Sequence, residues 1–120
     1  MSLDIYLHKT ETITCKCGEV HEVATTLVYD TNITSNLTKM ADEAGIYEAL
    51  WRPEEINATK AHQIINLLKS GLLALKSHPE YFEKFNASNG WGKYKHLVPF
   101  VEKYLNTCIE YPNAIITVSR

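Results

Sequence analysis

The chain has 120 residues, of which 45% are hydrophobic and 22% charged, with a formal net charge of -2. That is the mixture of one ordinary globular domain spanning residues 1–120, and it lacks the basic surplus of a general nucleic-acid binder. There is no apolar run of about eighteen residues to cross a membrane, and the start "MSLDIYLHKTE" has neither the basic opening nor the long apolar stretch of a secretion signal. A cytoplasmic setting is therefore expected.

The first element is a strand near 3–8. Leu3, Ile5 and Leu7 alternate with Asp4, Tyr6 and His8, the period of a half-buried strand. Segments near 12–16 and 20–29 are rich in Thr, Val and Ile and read as the arms of a hairpin. Gly18 supplies the positive φ of its turn. Helices fill the middle. Leu37, Met40, Ala41, Ala44, Tyr47 and Leu50 recur three or four apart, with Thr34, Ser35 or Asn36 as the cap and Pro53 as the break. Ala58, Ala61, Ile65, Leu68, Leu72 and Leu75 mark the next helix, capped by Asn57. A mid-helix Gly71 there costs about 1 kcal/mol against alanine. Pro79 suits the first position of a short helix.

Asn86 to Tyr94, "NASNGWGKY", reads as a loop. The last helix carries Leu97, Val98, Val101, Tyr104, Leu105 and Cys108. Pro99 either falls in its first turn, with the helix starting near His96, or kinks it. Pro112-Asn113 announces a strand near 114–119. The expected fold is α+β: a small antiparallel or mixed sheet of three or four strands, covered on one face by three or four helices.

"CKCGEVH" is the stretch with the most overt chemistry. Cys15 and Cys17 at i, i+2 on a strand point both thiols to one face. With His21 they form a candidate zinc site, although the spacing is shorter than in a knuckle and zinc asks for four ligands. The competing reading is a plain hairpin tip. In a reducing compartment the three cysteines are expected as thiols or ligands rather than a disulfide framework. No nucleophile–base pair has a local signature, Cys108 lies on an apolar stripe, and no catalytic residue is assigned.

Quieter residues make a second candidate. Asn32, Thr34 and Asn36 are uncharged donors and acceptors at a strand-to-helix junction, where capping alone would also account for them. Trp51 and Arg52 pair a ring with a planar cation, although a core tryptophan and a surface ion pair are the commoner fates. Asn89, Trp91 and Tyr94 set aromatic rings beside amides on a glycine-rich loop. Such rings stack on planar ligands, unless the glycines merely let the loop turn around a core Trp91. Charge is also uneven: residues 1–57 hold ten acids against four bases, and residues 58–104 hold seven lysines against three acids. The second half could draw an anion, or simply present solvated helix faces.

Four stretches together carry a resemblance: "MSLDIYL", "NITSNLTKMADEAGIYEALWRPEE", "NGWGKYKHLVPFVEKYLN" and "YPNAIITVSR". They resemble a family of small uncharacterised proteins of bacteriophages and prophages. The resemblance leaves out the hairpin around Cys15 and Cys17. Two positions depart from the family pattern: Ser35, commonly histidine there, and Pro99, usually another residue. The resemblance implies a phage accessory protein with no assigned activity, a class that often counters host defence by binding a host protein or sequestering a nucleotide signal. The expectation is a non-enzymatic, homo-oligomeric binding protein that takes a small anionic or nucleotide-like ligand through Asn32, Thr34, Asn36, Trp51, Arg52, Asn89, Trp91 and Tyr94, without a cofactor. The alternatives are a protein-interaction module, for which "NGWG" and "LWRP" should form one apolar patch, and a small zinc protein.

Overall fold

The computed structural model describes residues Ser2 to Arg120. Three antiparallel strands form the sheet: β1 (Ser2–Thr14), β2 (Val20–Thr34) and β3 (Ile115–Ser119), in the order β2-β1-β3. The helices are α1 (Thr38–Glu43), α2 (Tyr47–Trp51), α3 (Ile65–Ser77), α4 (Pro79–Glu83) and α5 (Tyr94–Glu110). Single 3-10 turns sit at Ser35–Leu37, Pro53–Ile56 and Ala61–Gln63. The fold is α+β, as the sequence pattern predicts.

Central β1 carries the alternation into the tertiary structure. Leu3, Ile5 and Leu7 are fully buried and join Ile33 of β2, Leu68 and Leu75 of α3, and Leu97, Val101 and Tyr104 of α5 in one core. Asp4, Tyr6 and His8 lie on the opposite face, where Asp4 accepts a hydrogen bond of 2.6 Å from the Asn32 amide. The terminal strand β3 pairs with Asp4–His8, so both ends of the chain meet in the same sheet.

Several boundaries differ from the sequence reading, each for a physical reason. The segments near 3–8 and 12–16 are one strand. The residues between them stay extended and absorb two register shifts around His8, leaving three strands rather than four. β2 runs on to Thr34, so Asn32 and Thr34 are strand residues and not junction loop. The first predicted helix is two. Gly45 (φ +78°) ends α1, with Ile46 N–H donating to the Ala41 carbonyl and Gly45 N–H to that of Asp42. That is the glycine-capped Schellman termination. Asn57 does not begin a helix. It ends the Pro53–Ile56 turn in the left-handed conformation (φ +57°). α5 begins at Tyr94, which puts Pro99 in its second turn and leaves the Lys95 carbonyl without an intrahelical partner.

The outer part of the β1–β2 hairpin has no helix over it. Residues 11–14 and 20–22 are exposed, and the molecule measures 57 × 27 × 22 Å. The hairpin is therefore an arm standing off the body, with its tip at Cys15–Glu19. There the Gly18 N–H donates to the Cys15 carbonyl and the Cys15 N–H to that of Glu19. Gly18 takes φ +87°, the backbone the tip requires of it.

One core feature makes a testable statement. The Tyr104 hydroxyl is fully buried and has no hydrogen-bond partner. Burial raises its pKa well above the ordinary value, and the neighbouring Cys108 thiol is itself pushed up to about 12 by burial. An unpaired buried hydroxyl costs about 1–3 kcal/mol. Tyr104→Phe is therefore expected to leave stability unchanged or raise it by about 1 kcal/mol in urea unfolding. A loss of about 1 kcal/mol or more would show that the hydroxyl is held by the Cys108 thiol.

Candidate functional site

The end of β2 and the start of α5 enclose a cleft of about 540 Å³, lined by Asn32, Ile33, Thr34, Leu37, Gly90, Trp91, Gly92, His96 and Phe100. The volume is in the range of small-molecule sites. Two stretches far apart in sequence, "TNITSN" and "NGWG", form its opposite walls.

One hydrogen bond ties the walls together, and two more brace the glycine loop. The Asn36 amide donates 2.8 Å to the Trp91 carbonyl. The Asn89 side-chain oxygen accepts from the Trp91 N–H at 2.9 Å, and the Ala87 N–H donates to the Gly92 carbonyl at 2.9 Å. Gly92, with φ +104°, is buried against Asn36, Thr34 and Leu37; a Cβ there would lie 3.0–3.3 Å from their side-chain atoms. The absence of that Cβ lets the two walls touch.

Trp91 is held through both its backbone N–H and its carbonyl, yet 72% of its surface is exposed. It does not tuck into the core, one of the two fates read from sequence. Phe100 faces the same cleft, backed by the ring of Tyr104 at 6.4 Å, which stacks on Tyr29 at 6.2 Å. Polar groups remain free to act. The Lys93 N–H donates to His96 Nδ1 at 3.2 Å, which leaves Nε2 of the neutral ring as a donor. The Asn36 N–H donates to Thr34 Oγ1 at 3.4 Å, so the Thr34 hydroxyl proton is available. The cleft thus offers an aromatic face, an apolar floor of Ile33 and Leu37, and donors on two sides.

The eight residues proposed from sequence divide three ways. Asn32, Thr34 and Trp91 line the cleft, and Asn36 and Asn89 brace it. Tyr94 is an anchor: its hydroxyl donates to the Leu75 carbonyl and its N–H to the Asn86 side chain. Trp51 and Arg52 lie elsewhere. Trp51 is 3% exposed and stacks on Tyr47 at 5.8 Å. Arg52 Nε donates to the Tyr47 hydroxyl at 3.1 Å and pairs with Glu55 at 3.4 Å. The C-terminal Arg120 donates to the Trp51 carbonyl and pairs with Glu54, whose pKa is lowered by its own backbone N–H and by Arg120. This corner shares no residue with the cleft, and does not form one apolar patch with "NGWG".

His96 and Phe100 escaped the sequence reading. The available signal was their i, i+4 spacing just after the glycine loop, which sets them on one helix face. At the hairpin tip the expectation of free thiols is corrected: Cys15 and Cys17 are joined as a disulfide, with Cα atoms 5.4 Å apart. Two residues along a strand span about 6.6 Å. The turn draws them closer, within the range a disulfide bridges. The third donor beside the sulfurs is Glu19 rather than His21.

No protein-family model, no curated protein and no solved structure matches this chain. No helix among the described residues is long and apolar enough to cross a membrane.

Proposed function

We propose that the protein is a non-enzymatic binding protein that captures a planar, nucleotide-like anion in the cleft between β2 and α5. One observation carries this reading: a tryptophan fixed by its own backbone and left 72% exposed at the mouth of a cleft. Keeping a large ring in water forgoes its burial, roughly 1.5–3 kcal/mol for a large apolar side chain. Stacking on a base recovers about 1–3 kcal/mol. Thr34 and His96 supply donors for the edge of such a ring. Lys93 and Lys95 open α5, where the helix dipole also favours negative charge. The site sequesters its ligand at equilibrium; no bond in it is made or broken. In the phage setting that the sequence resemblance implies, such capture would withdraw a nucleotide signal from host defence.

The test uses the intact protein. Small molecules released by heat denaturation are identified by mass spectrometry, and a panel of linear and cyclic nucleotides is titrated against tryptophan fluorescence. Trp51 is buried, so quenching reports on Trp91. Trp91→Ala is expected to weaken binding about 5- to 150-fold, the equivalent of one lost stack. Its unfolding free energy should stay within about 0.5 kcal/mol of the parent, as for an exposed position. If no nucleotide is released and none quenches, or if Trp91→Ala binds as tightly as the parent, the reading fails. A partner protein that needs Trp91 would then be the better account of its exposure.

A further inference from the structure

The hairpin tip holds a donor set that the cleft does not use. Cys15, Cys17, Glu19 and His21 occur at every second position. The two sulfurs and a Glu19 carboxylate oxygen lie within 4.8 Å of one another. His21 Nε2 lies 3.5 Å from Glu19 Oε2. Ligand atoms around one tetrahedral zinc ion sit about 3.3–3.8 Å apart, given bonds of about 2.0–2.3 Å; the sulfurs and Glu19 lie near that spacing, and His21, outside the 4.8 Å group but beside Glu19, would swing in to complete it. Cys17, Glu19 and His21 are exposed, on an arm that stands clear of the body.

A structural staple does not explain the set. A disulfide that encloses one residue closes one of the shortest loops, where cross-linking constrains the unfolded chain little. The Cys15–Glu19 and Gly18–Cys15 backbone hydrogen bonds already hold the turn. Nor does a staple require a carboxylate and an imidazole beside it.

We propose that the tip is a redox-gated metal site. In the oxidised form the Cys15–Cys17 bond withholds both sulfurs. In the reduced form Cys15, Cys17, Glu19 and His21 hold one zinc-class divalent ion. Opening the site needs a reductant, and small-molecule thiols are the class we name. Two thiols give up two electrons and two protons and become a disulfide. The Cys15–Cys17 bond breaks, and each sulfur gains one electron and one proton. On metal binding the two thiol protons pass to solvent and both sulfurs ligate as thiolates. Two sulfurs, one nitrogen and one oxygen suit zinc or cobalt and are too soft a set for magnesium or calcium. Cys108 takes no part: it is buried on α5 within the core.

The probe is Co²⁺, followed by its thiolate charge-transfer absorption on the full chain, before and after phosphine reduction and removal of the reductant. The reduced chain is expected to take one equivalent that Zn²⁺ displaces, and the oxidised chain none. Cys17→Ser should abolish the band. The double variant E19Q/H21A should bind at least about tenfold more weakly, since even outer-shell partners of a metal site are worth that much. Equal binding by the oxidised chain, no stoichiometric uptake by the reduced chain, binding retained in Cys17→Ser, or an unchanged affinity in E19Q/H21A would each overturn the proposal. All substituted residues are solvent-facing or at a turn, and circular dichroism of each variant verifies that the fold is kept.

Discussion

Gly71→Ala lowers the stability of this protein by about 1–2 kcal/mol, although alanine is the better helix former. In the interior of α3 the substitution should gain about 1 kcal/mol in helix propensity. Tertiary packing reverses the sign. A Cβ on Gly71 would lie 2.1 Å from the Cγ2 of Ile46 and 3.3 Å from the Ala44 carbonyl oxygen. Ile46 is fully buried, and its Cγ2 is fixed on a branched carbon, so it cannot swing aside. Overpacking costs about 1–3 kcal/mol and occasionally more, and an approach of 2.1 Å to a side chain that cannot move belongs at the upper end of that range, which outweighs the propensity gain. The melting midpoint should fall by about 4–10 °C for a domain of this size. A double-mutant cycle checks the cause. Ile46→Ala alone costs about 2–5 kcal/mol, and combined with Gly71→Ala it should cost clearly less than the sum, because the added methyl enters the space that the isoleucine leaves. Additive losses would show that the Gly71 effect lies elsewhere.

The second large effect falls on the cleft. Gly92→Ala should cost about 2–3 kcal/mol and abolish ligand capture, whereas Gly90→Ala should cost only about 1 kcal/mol. Both glycines have positive φ, +104° at Gly92 and +80° at Gly90, and both substitutions pay for the backbone conformation. Only Gly92 also meets the opposite wall, at 3.0 Å from Asn36 and 3.1 Å from Thr34, while a Cβ on Gly90 has open space. Moving the walls apart stretches the hydrogen bond from Asn36 to the Trp91 carbonyl and releases the ring. Chemical denaturation of both variants, with nucleotide titration, separates backbone strain from wall contact. Equal losses at the two positions would mean that contact with Asn36 and Thr34 is unimportant.

Much of this molecule follows from local chemistry. The alternation of Leu3, Ile5 and Leu7 sets the buried face of β1, and Gly18 sets the arm's tip. Pro79 opens α4, and the apolar stripe from Leu97 to Cys108 lays α5 on the core. These are short-range preferences, legible one residue at a time. The break at Gly45 was legible in principle as well, since a glycine followed by isoleucine closes a helix through local bonds. It lies within an unbroken three-and-four pattern that reads as one helix.

The site needed the tertiary structure. Asn36 and Trp91 are 55 residues apart, and no periodicity says that their segments meet. Trp51 and Trp91 carry the same side chain, yet one is 3% exposed and the other 72%. What separates them is the element behind each: α2 folds Trp51 inward against Tyr47, and the glycine loop anchors Trp91 by its backbone alone. The tip shows the same division. The residues from Cys15 to His21 announce metal or redox chemistry by type, but a turn, not a strand, holds the sulfurs at bonding distance and sets Glu19 beside them. Composition and pattern determined an α+β domain and which residue types could do chemistry. Only the closing of the chain on itself decided which of them share a wall, because that depends on contacts between segments that no local preference encodes.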